Sequence, residues 1–251
     1  MQTDIKNSRE LQRLDVLLAQ QRGLSRVSAR EIIVAGNVYV GDKPVLKPGL
    51  YMPPDTKLTV TAPERAYVSR GGDKLQAAIL HFDIDVSGRV CLDVGASTGG
   101  FTDCLLQGGA SMVYAIENGK EQLSEKLQGN KKVISMEETD IRQASESWFH
   151  KAPDLATVDV SFISLKQVLA PIVSVLAPQA ELICLVKPQF EAGKGKTNRR
   201  GIIRNPKISQ QALDKVNNYA SSLGLQSQGH LAYQAKKSKN QEFLVHYKHQ
   251  T

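Results

Sequence analysis

The sequence has one tryptophan among 251 residues, only three cysteines, and no apolar run long enough to span a bilayer. Its longest apolar stretch, Val168 to Ala177, is short and interrupted by Pro171. The opening MQTDIKNSRE has no apolar segment of the kind a secretory leader needs. These absences argue against a helical membrane protein and predict a cytoplasmic chain with no membrane partner. Cys91, Cys104 and Cys184 are odd in number, unclustered and set among apolar neighbours. That pattern argues against a disulfide framework and a zinc site, so no metal is expected and the thiols are read as small reduced core residues.

Charge is abundant but unevenly placed. Residues 1–74 carry 12 basic against 8 acidic side chains, residues 75–185 carry 8 against 14, and residues 186–251 carry 12 against 3. A basic head and tail around an acidic centre suit a polyanion gripped at the margins of a pocket for a small ligand. The length fits about one to two domains. Residues 9–62 and 71–251 read as the two, with 63–70 as linker.

In the first domain Leu11, Leu14, Leu17 and Leu18 form a helical stripe over Leu11 to Gln21, closed by Gly23. Ser25 can cap a second helix from Arg26 to Ala35, closed by Gly36. Val38 to Val40, the turn Gly41-Asp42 and the stretch Val45 to Val60 read as short strands. Arg26 and Arg30 lie one turn apart on the second helix, and with Arg13, Lys43 and Lys47 they give the domain a cationic face. The segment RLDVLLAQQRGLSRVSAREIIVAGNVYVGDKPV, Arg13 to Val45, resembles the S-four-type RNA-binding domain. The resemblance implies RNA contact through Arg13, Arg26, Arg30 and Lys43.

The second domain alternates strands and helices, which predicts an α/β fold with a mostly parallel sheet covered on both faces, of Rossmann-like type. Strands are expected over Val90–Val94, Met112–Ile116, Val133–Ser135, Leu155–Val160, Leu182–Lys187 and Phe243–His246. Directly behind the first of them stands DVGASTGGFTD, Asp93 to Asp103. Asp93, Gly95, Ser97, Gly99 and Gly100 thus fall at a strand-to-helix turn, where glycine allows a ligand close to the backbone. The spacing is not the G-x-G-x-x-G of dinucleotide enzymes, which favours S-adenosylmethionine over a nicotinamide cofactor. Glu117, about twenty residues on, ends the second strand, where a carboxylate can accept from both ribose hydroxyls. Asp140, after the third strand, can accept from the adenine amino group or cap a helix.

Lys74, Asp159, Lys187 and Glu242 are the catalytic candidates. Asp159 is the polar residue of ATVDVSFISL, and Lys187 ends the apolar LICLV, a costly position for a charge without a partner. Methyl transfer from a sulfonium needs a nucleophile more than an activated electrophile, and a ribose hydroxyl needs a base. A lysine crowded by a second cation and partly desolvated can act as one. A buried ion pair without chemistry is the bland alternative.

Taken together, YVSRGGDKL, VDVSFISL, LVKPQFEAG and NQEFLVH resemble the FtsJ-type ribose 2′-O-methyltransferases, whose Lys-Asp-Lys-Glu tetrad falls on Lys74, Asp159, Lys187 and Glu242. From Arg9 to Lys248 the chain resembles the hemolysin-named TlyA family of rRNA methyltransferases. The resemblance implies S-adenosylmethionine as cofactor and ribosomal RNA or ribosomal subunits as partner. Two departures stand out. Glu117 occupies a position where many members have aspartate, and KKSKNQE precedes Glu242 where a glycine- and proline-bearing loop is usual. The basic stretch Phe190 to Pro206 resembles a mobile segment beside the family's site. A membrane-active hemolysin and an RNA-binding cofactor sensor without catalysis are the rival readings.

Overall fold

The computed structural model describes residues 11–34, 36–61, 66–233 and 240–250. The expected domain start at residue 9, the helix end at Ala35, residues 62–65 at the join and Lys236 to Lys239 before Glu242 lie outside the described residues. Internal contacts divide the chain into two units, Met1–Arg65 and Ala66–Thr251.

The first unit runs β1 (Gln12–Arg13), α1 (Leu14–Arg22), α2 (Arg26–Val34), β2 (Val38–Val40), β3 (Lys43–Pro44), β4 (Tyr51–Met52) and β5 (Leu58–Val60). Helix α1 starts three residues later than the leucine stripe predicts, because Gln12 and Arg13 pair antiparallel with Met52 and Tyr51. Leu11 is left exposed. Leu14, Leu17 and Leu18 of α1 and Ala29 and Ile33 of α2 close a small core over Val38 and Leu58. At Gly23 the backbone turns left-handed, with φ 62°, and ends α1.

Asp15 is fully buried beneath this cationic face. Its carboxylate accepts from Arg13 Nε and Nη2, both at 3.0 Å, and from Arg26 Nη2 at 3.2 Å. The hydrogen bonds from Arg13 outweigh burial and hold the Asp15 pKa down to about 2. A depressed carboxylate pKa contributes stability above its unfolded value near 4, and that contribution is lost as pH falls through the folded value. The hydrogen-exchange protection of α1 is therefore expected to fall between about pH 4 and pH 2. In an Asp15→Asn variant that pH dependence should disappear; an unchanged slope would show that Asp15 is not the titrating group.

The second unit runs α3 (Arg70–Phe82), β6 (Val90–Val94), α4 (Gly100–Gln107), β7 (Met112–Ile116), β8 (Val133–Met136), β9 (Leu155–Val158), α5 (Leu169–Val173), β10 (Glu181–Val186), α6 (Pro188–Glu191), α7 (Pro206–Ser222), β11 (Leu225–Tyr233) and β12 (Glu242–His249). One seven-stranded sheet has the order β11-β12-β10-β9-β6-β7-β8. The five strands from β10 to β8 in that order are parallel; β12 is reversed, pairing antiparallel with both β10 and the edge strand β11, which runs in the direction of the five.

The central strands are buried on both faces, with side chains that alternate between two cores. Val90, Leu92 and Val94 pack with Ile172, Leu213 and Val216 of α5 and α7. Cys91, between them in sequence, packs with Leu75, Ala78 and Leu105 of α3 and α4. Expectation and structure agree on β6 and β7 to the residue. Strand β11 and helix α7 were not expected, although Asn205-Pro206 marks the start of α7: the Asn205 side chain accepts from Lys207 N–H at 3.0 Å, with Pro206 in the first helical position.

Residues 66–70, read from sequence as linker, are fastened into the second unit. Tyr67 is buried and donates to Gln76 at 2.6 Å, and Val68 N–H donates to Asp103 at 2.8 Å. Ser69 caps α3, accepting from Gly71 N–H at 3.3 Å.

Candidate functional site

In the second unit the chain runs from β6 to β7 and β8 on one side, then returns to β9 and β10 on the other. The order reverses between β6 and β9, and a ligand crevice belongs outside the carboxyl ends of strands at such a point. A cleft of about 470 Å³ lies there, bordered by Gly95, Ser97, Glu117, Asp140, Asp159 and Phe162. It falls within the range of small-molecule sites.

Gly95 has φ 81°, and a Cβ there would stand 2.6 Å from the backbone oxygen of Asp159. The group that requires a bare glycine at 95 is therefore the neighbouring strand end. Gly99 and Gly100 likewise differ from the expectation that glycine makes room for a ligand. A Cβ at 99 would meet Leu127 Cδ1 at 2.3 Å, and one at 100 would meet Ser69 Oγ at 2.1 Å and Gly72 N at 3.1 Å. Both make room for protein. Gly72 in turn has no space for a side chain beside Tyr67. Bare backbone at both helix starts lets α3 and α4 approach closely, which fixes the turn of α3 that carries Lys74.

Asp93 is buried beneath the turn and does not border the cleft. Its carboxylate accepts from Thr102 at 2.6 Å and Thr157 at 3.0 Å, linking β6 to α4 and β9. Burial raises its pKa to about 6, against the opposing pull of the two hydroxyls. Glu117 reaches the cleft at the end of β7. Its Oε2 accepts from Ser97 N–H at 2.9 Å and its Oε1 from Gly119 N–H at 2.7 Å. Each oxygen keeps lone-pair capacity for a further donor. Asp140 caps the short 3-10 turn Ile141–Gln143 and pairs with Arg142 at 2.6 Å, which lowers its pKa. Glu137, a residue the sequence did not single out, accepts from the backbone N–H groups of Glu121, Gln122 and Leu123 at 2.6, 2.8 and 2.9 Å. It thereby shapes the loop behind Glu117.

The four catalytic candidates form two pairs. Lys187 Nζ lies 2.6 Å from Asp159 Oδ1 and donates to Ser161 Oγ at 2.7 Å; its side chain is 11% exposed. That Asp159 oxygen accepts no regular hydrogen bond. Lys74 Nζ donates to Glu242 at 2.6 Å and stands 5.7 Å from the centre of the Tyr233 ring. Each lysine has its own carboxylate. Sheet register nevertheless sets all but Lys74 on one edge. Val186 is opposite Phe243, so Lys187 and Glu242 follow at the same end, and Asp159 follows Val158 on the parallel neighbour.

Two further residues shape the surroundings of the cleft. Glu191 accepts from Ser164 Oγ at 2.5 Å and Leu165 N–H at 2.8 Å, fastening the loop after β9 to α6. Phe162 is 90% exposed, holds φ 66°, and its ring centre is 5.3 Å from that of Phe190. Nothing in a single sequence marks a non-glycine residue for left-handed backbone. Phe190 to Pro206, expected as a mobile segment, contains the end of α6 and a hydrogen-bonded turn at Asn198–Ile202. In the first unit Arg13 and Arg26 are aligned by Asp15, while Arg30 and Lys43 are exposed.

A carboxylate at the end of β7, a cleft at the switch point, and a lysine–carboxylate pair on its rim define the α/β methyltransferase class. The residues fit an adenosyl cofactor: the cleft is large enough, and Glu117 presents two oxygens to vicinal hydroxyls. Comparison with known proteins agrees. The FtsJ-like methyltransferase family matches residues 67–249, and the S4 domain matches residues 12–50. The chain is 41% identical over 240 residues to YqxC of Bacillus subtilis, named as a candidate rRNA methyltransferase, covering 94% of this chain and 85% of that one. It is 42% identical over 220 residues to the 16S/23S rRNA (cytidine-2'-O)-methyltransferase TlyA of Mycobacterium tuberculosis, covering 86% and 82%. A solved structure named as a candidate hemolysin from Streptococcus thermophilus superposes with TM-score 0.77 at 36% identity, over 96% of this chain and 89% of that one. The chain belongs to the FtsJ-like methyltransferases and, among them, to the TlyA family.

Gly95→Ala tests the strand contact. The left-handed φ costs about 1–2 kcal/mol in a non-glycine residue, and the added methyl must displace the Asp159 backbone. Loss of stability by about that amount, with at least tenfold weaker S-adenosylmethionine binding by calorimetry, is expected. Unchanged affinity in a folded variant would separate the cleft from this contact.

Proposed function

We propose that the protein transfers a methyl group to a ribose 2′-hydroxyl of ribosomal RNA, free or in a ribosomal subunit, and does so in the cytoplasm. S-adenosylmethionine, when bound, supplies an electrophilic methyl group on a sulfonium. Glu117 accepts from the ribose hydroxyls of that cofactor. Gly95 and Ser97 border it, Gly99 and Gly100 pack the start of α4 behind that turn, Asp140 faces its base, and Asp93 braces the turn from below.

The observation that carries the reading is Lys187, held between Asp159 and Ser161 at the rim of the cleft. A neutral Lys187 amine takes the proton from the attacking hydroxyl, and Asp159 balances the ammonium that results. Lys74 and Glu242 form the second pair: each compensates the other, so the edge of the site keeps a donor without a net charge. Residues 9–62 supply RNA affinity through Arg13, Arg26, Arg30 and Lys43, with Asp15 setting the direction of the first two arginines. Among the described residues no helix is long and apolar enough to cross a membrane, so nothing there favours the hemolysin reading. Two paired lysines at a cofactor cleft favour catalysis over a sensor.

Single-turnover transfer of labelled methyl to ribosomal subunits tests this reading. Lys187→Ala should slow transfer by about 10²-fold or more while S-adenosylmethionine and RNA still bind. Lys187→Arg should be nearly as slow, because a guanidinium stays protonated. Near-normal turnover by the arginine variant would remove Lys187 as the base.

A further inference from the structure

Between residues 194 and 207 there are six basic side chains, at Lys194, Lys196, Arg199, Arg200, Arg204 and Lys207, and no acidic one. The centre of this stretch is built, not slack. Asn198 N–H donates to Ile202 C=O at 3.0 Å, and Gly201 N–H returns to Asn198 C=O at 2.9 Å. The Asn198 side chain accepts from Arg200 N–H at 2.9 Å and Ile202 N–H at 3.0 Å, and Gly201 takes the left-handed φ of 73° that the turn requires. Arg199 and Arg200 are exposed on it.

A second residue fastens this hairpin to the catalytic edge. Asn240 uses both ends of its amide there: Oδ1 accepts from Ile203 N–H at 2.8 Å, and Nδ2 donates to Gly201 C=O at 2.9 Å. Two residues later the same backbone becomes Glu242, which holds Lys74 at 2.6 Å. Hairpin and ion pair are thus joined by one side chain and two peptide units.

We propose that the Asn198–Ile202 hairpin binds backbone phosphate of the RNA substrate, and that Asn240 is a positioning residue coupling this contact to the Lys74–Glu242 pair. The inference rests on the proposed RNA substrate. Guanidiniums on a pre-shaped turn meet phosphate with little ordering left to do. A phosphate drawn onto Arg199 and Arg200 biases Gly201 and Ile203, and through Asn240 it biases the strand start that sets Glu242. Without Asn240 the hairpin still attracts RNA, but binding there no longer helps to set the ion pair.

A double-mutant cycle on the full chain tests this, read by RNA affinity, its salt dependence, cofactor affinity and single-turnover rate at saturating RNA. Arg199→Ala with Arg200→Ala should weaken RNA binding and reduce the salt slope by about 2, leaving S-adenosylmethionine affinity unchanged. Asn240→Ala should leave both affinities within about threefold yet slow methyl transfer about tenfold, and Asn240→Asp, which keeps the acceptor for Ile203, should recover part of that rate. Combined, the changes should slow turnover no further than the slower of the two, as expected for one coupled path. Additive rates would reduce Asn240 to a loop brace and overturn the coupling. An unchanged salt slope in the arginine variant, or its loss of binding to phosphatidylserine vesicles with RNA affinity intact, would overturn the phosphate contact. If the wild-type chain transfers no methyl to ribosomal RNA, the proposed function fails, whatever the variants do.

Discussion

Strands β6 and β9 can place their carboxyl ends side by side only because Gly95 has no Cβ. A methyl there would lie 2.6 Å from the Asp159 carbonyl oxygen. That approach sets the cofactor turn, which leaves β6, against the loop after β9, which carries Asp159, Ser161 and Phe162. Asp93 supports the same junction from within, since its buried carboxylate is shared by threonines of α4 and β9. The cleft and the carboxylate partner of Lys187 thereby come from one local geometry, and a shift of one strand end displaces both.

Around this junction charge is placed in compensated pairs. Lys187 has Asp159, Lys74 has Glu242, and Asp140 has Arg142. A lysine at the end of a strand as apolar as Leu182 to Val186 would be costly alone. A carboxylate partner offsets that cost, because it stabilises the ammonium. Remote from the cleft, Glu181 at the start of β10 is drawn into a similar arrangement, with Arg89 at 2.9 Å and His246 at 2.6 Å. Burial there opposes ionisation of Glu181, but Arg89 first and His246 second outweigh it and lower its pKa.

Much of this was legible from residue order. Apolar runs bounded by glycine located β6 and β7, and the Gly-rich turn with Glu117 twenty residues on located the cleft. Where local pattern competes with pairing, sequence misleads. The leucine stripe extends a helix through Gln12 and Arg13, yet those residues bond to Tyr51 and Met52. Glycine at 99 and 100 signals close approach, but not that the approaching atoms belong to Leu127 and Ser69. Partners such as Lys74 and Glu242, 168 positions apart, are set by the sheet order and have no local signature. Asn240, Glu137 and Glu191 act by holding backbone, a role that any polar residue in a loop can conceal.

The central claim is that a base beside the cleft acts on a ribose hydroxyl and not on a nucleobase. A methylated 2′-oxygen cannot attack the adjacent phosphodiester, so alkali leaves that linkage intact. Ribosomal RNA labelled by the protein with radioactive methyl, then digested in alkali, tests the claim directly. The account predicts label in an alkali-resistant dinucleotide, absent when Lys187 is replaced by alanine. Label recovered in mononucleotides carrying a methylated base would contradict it.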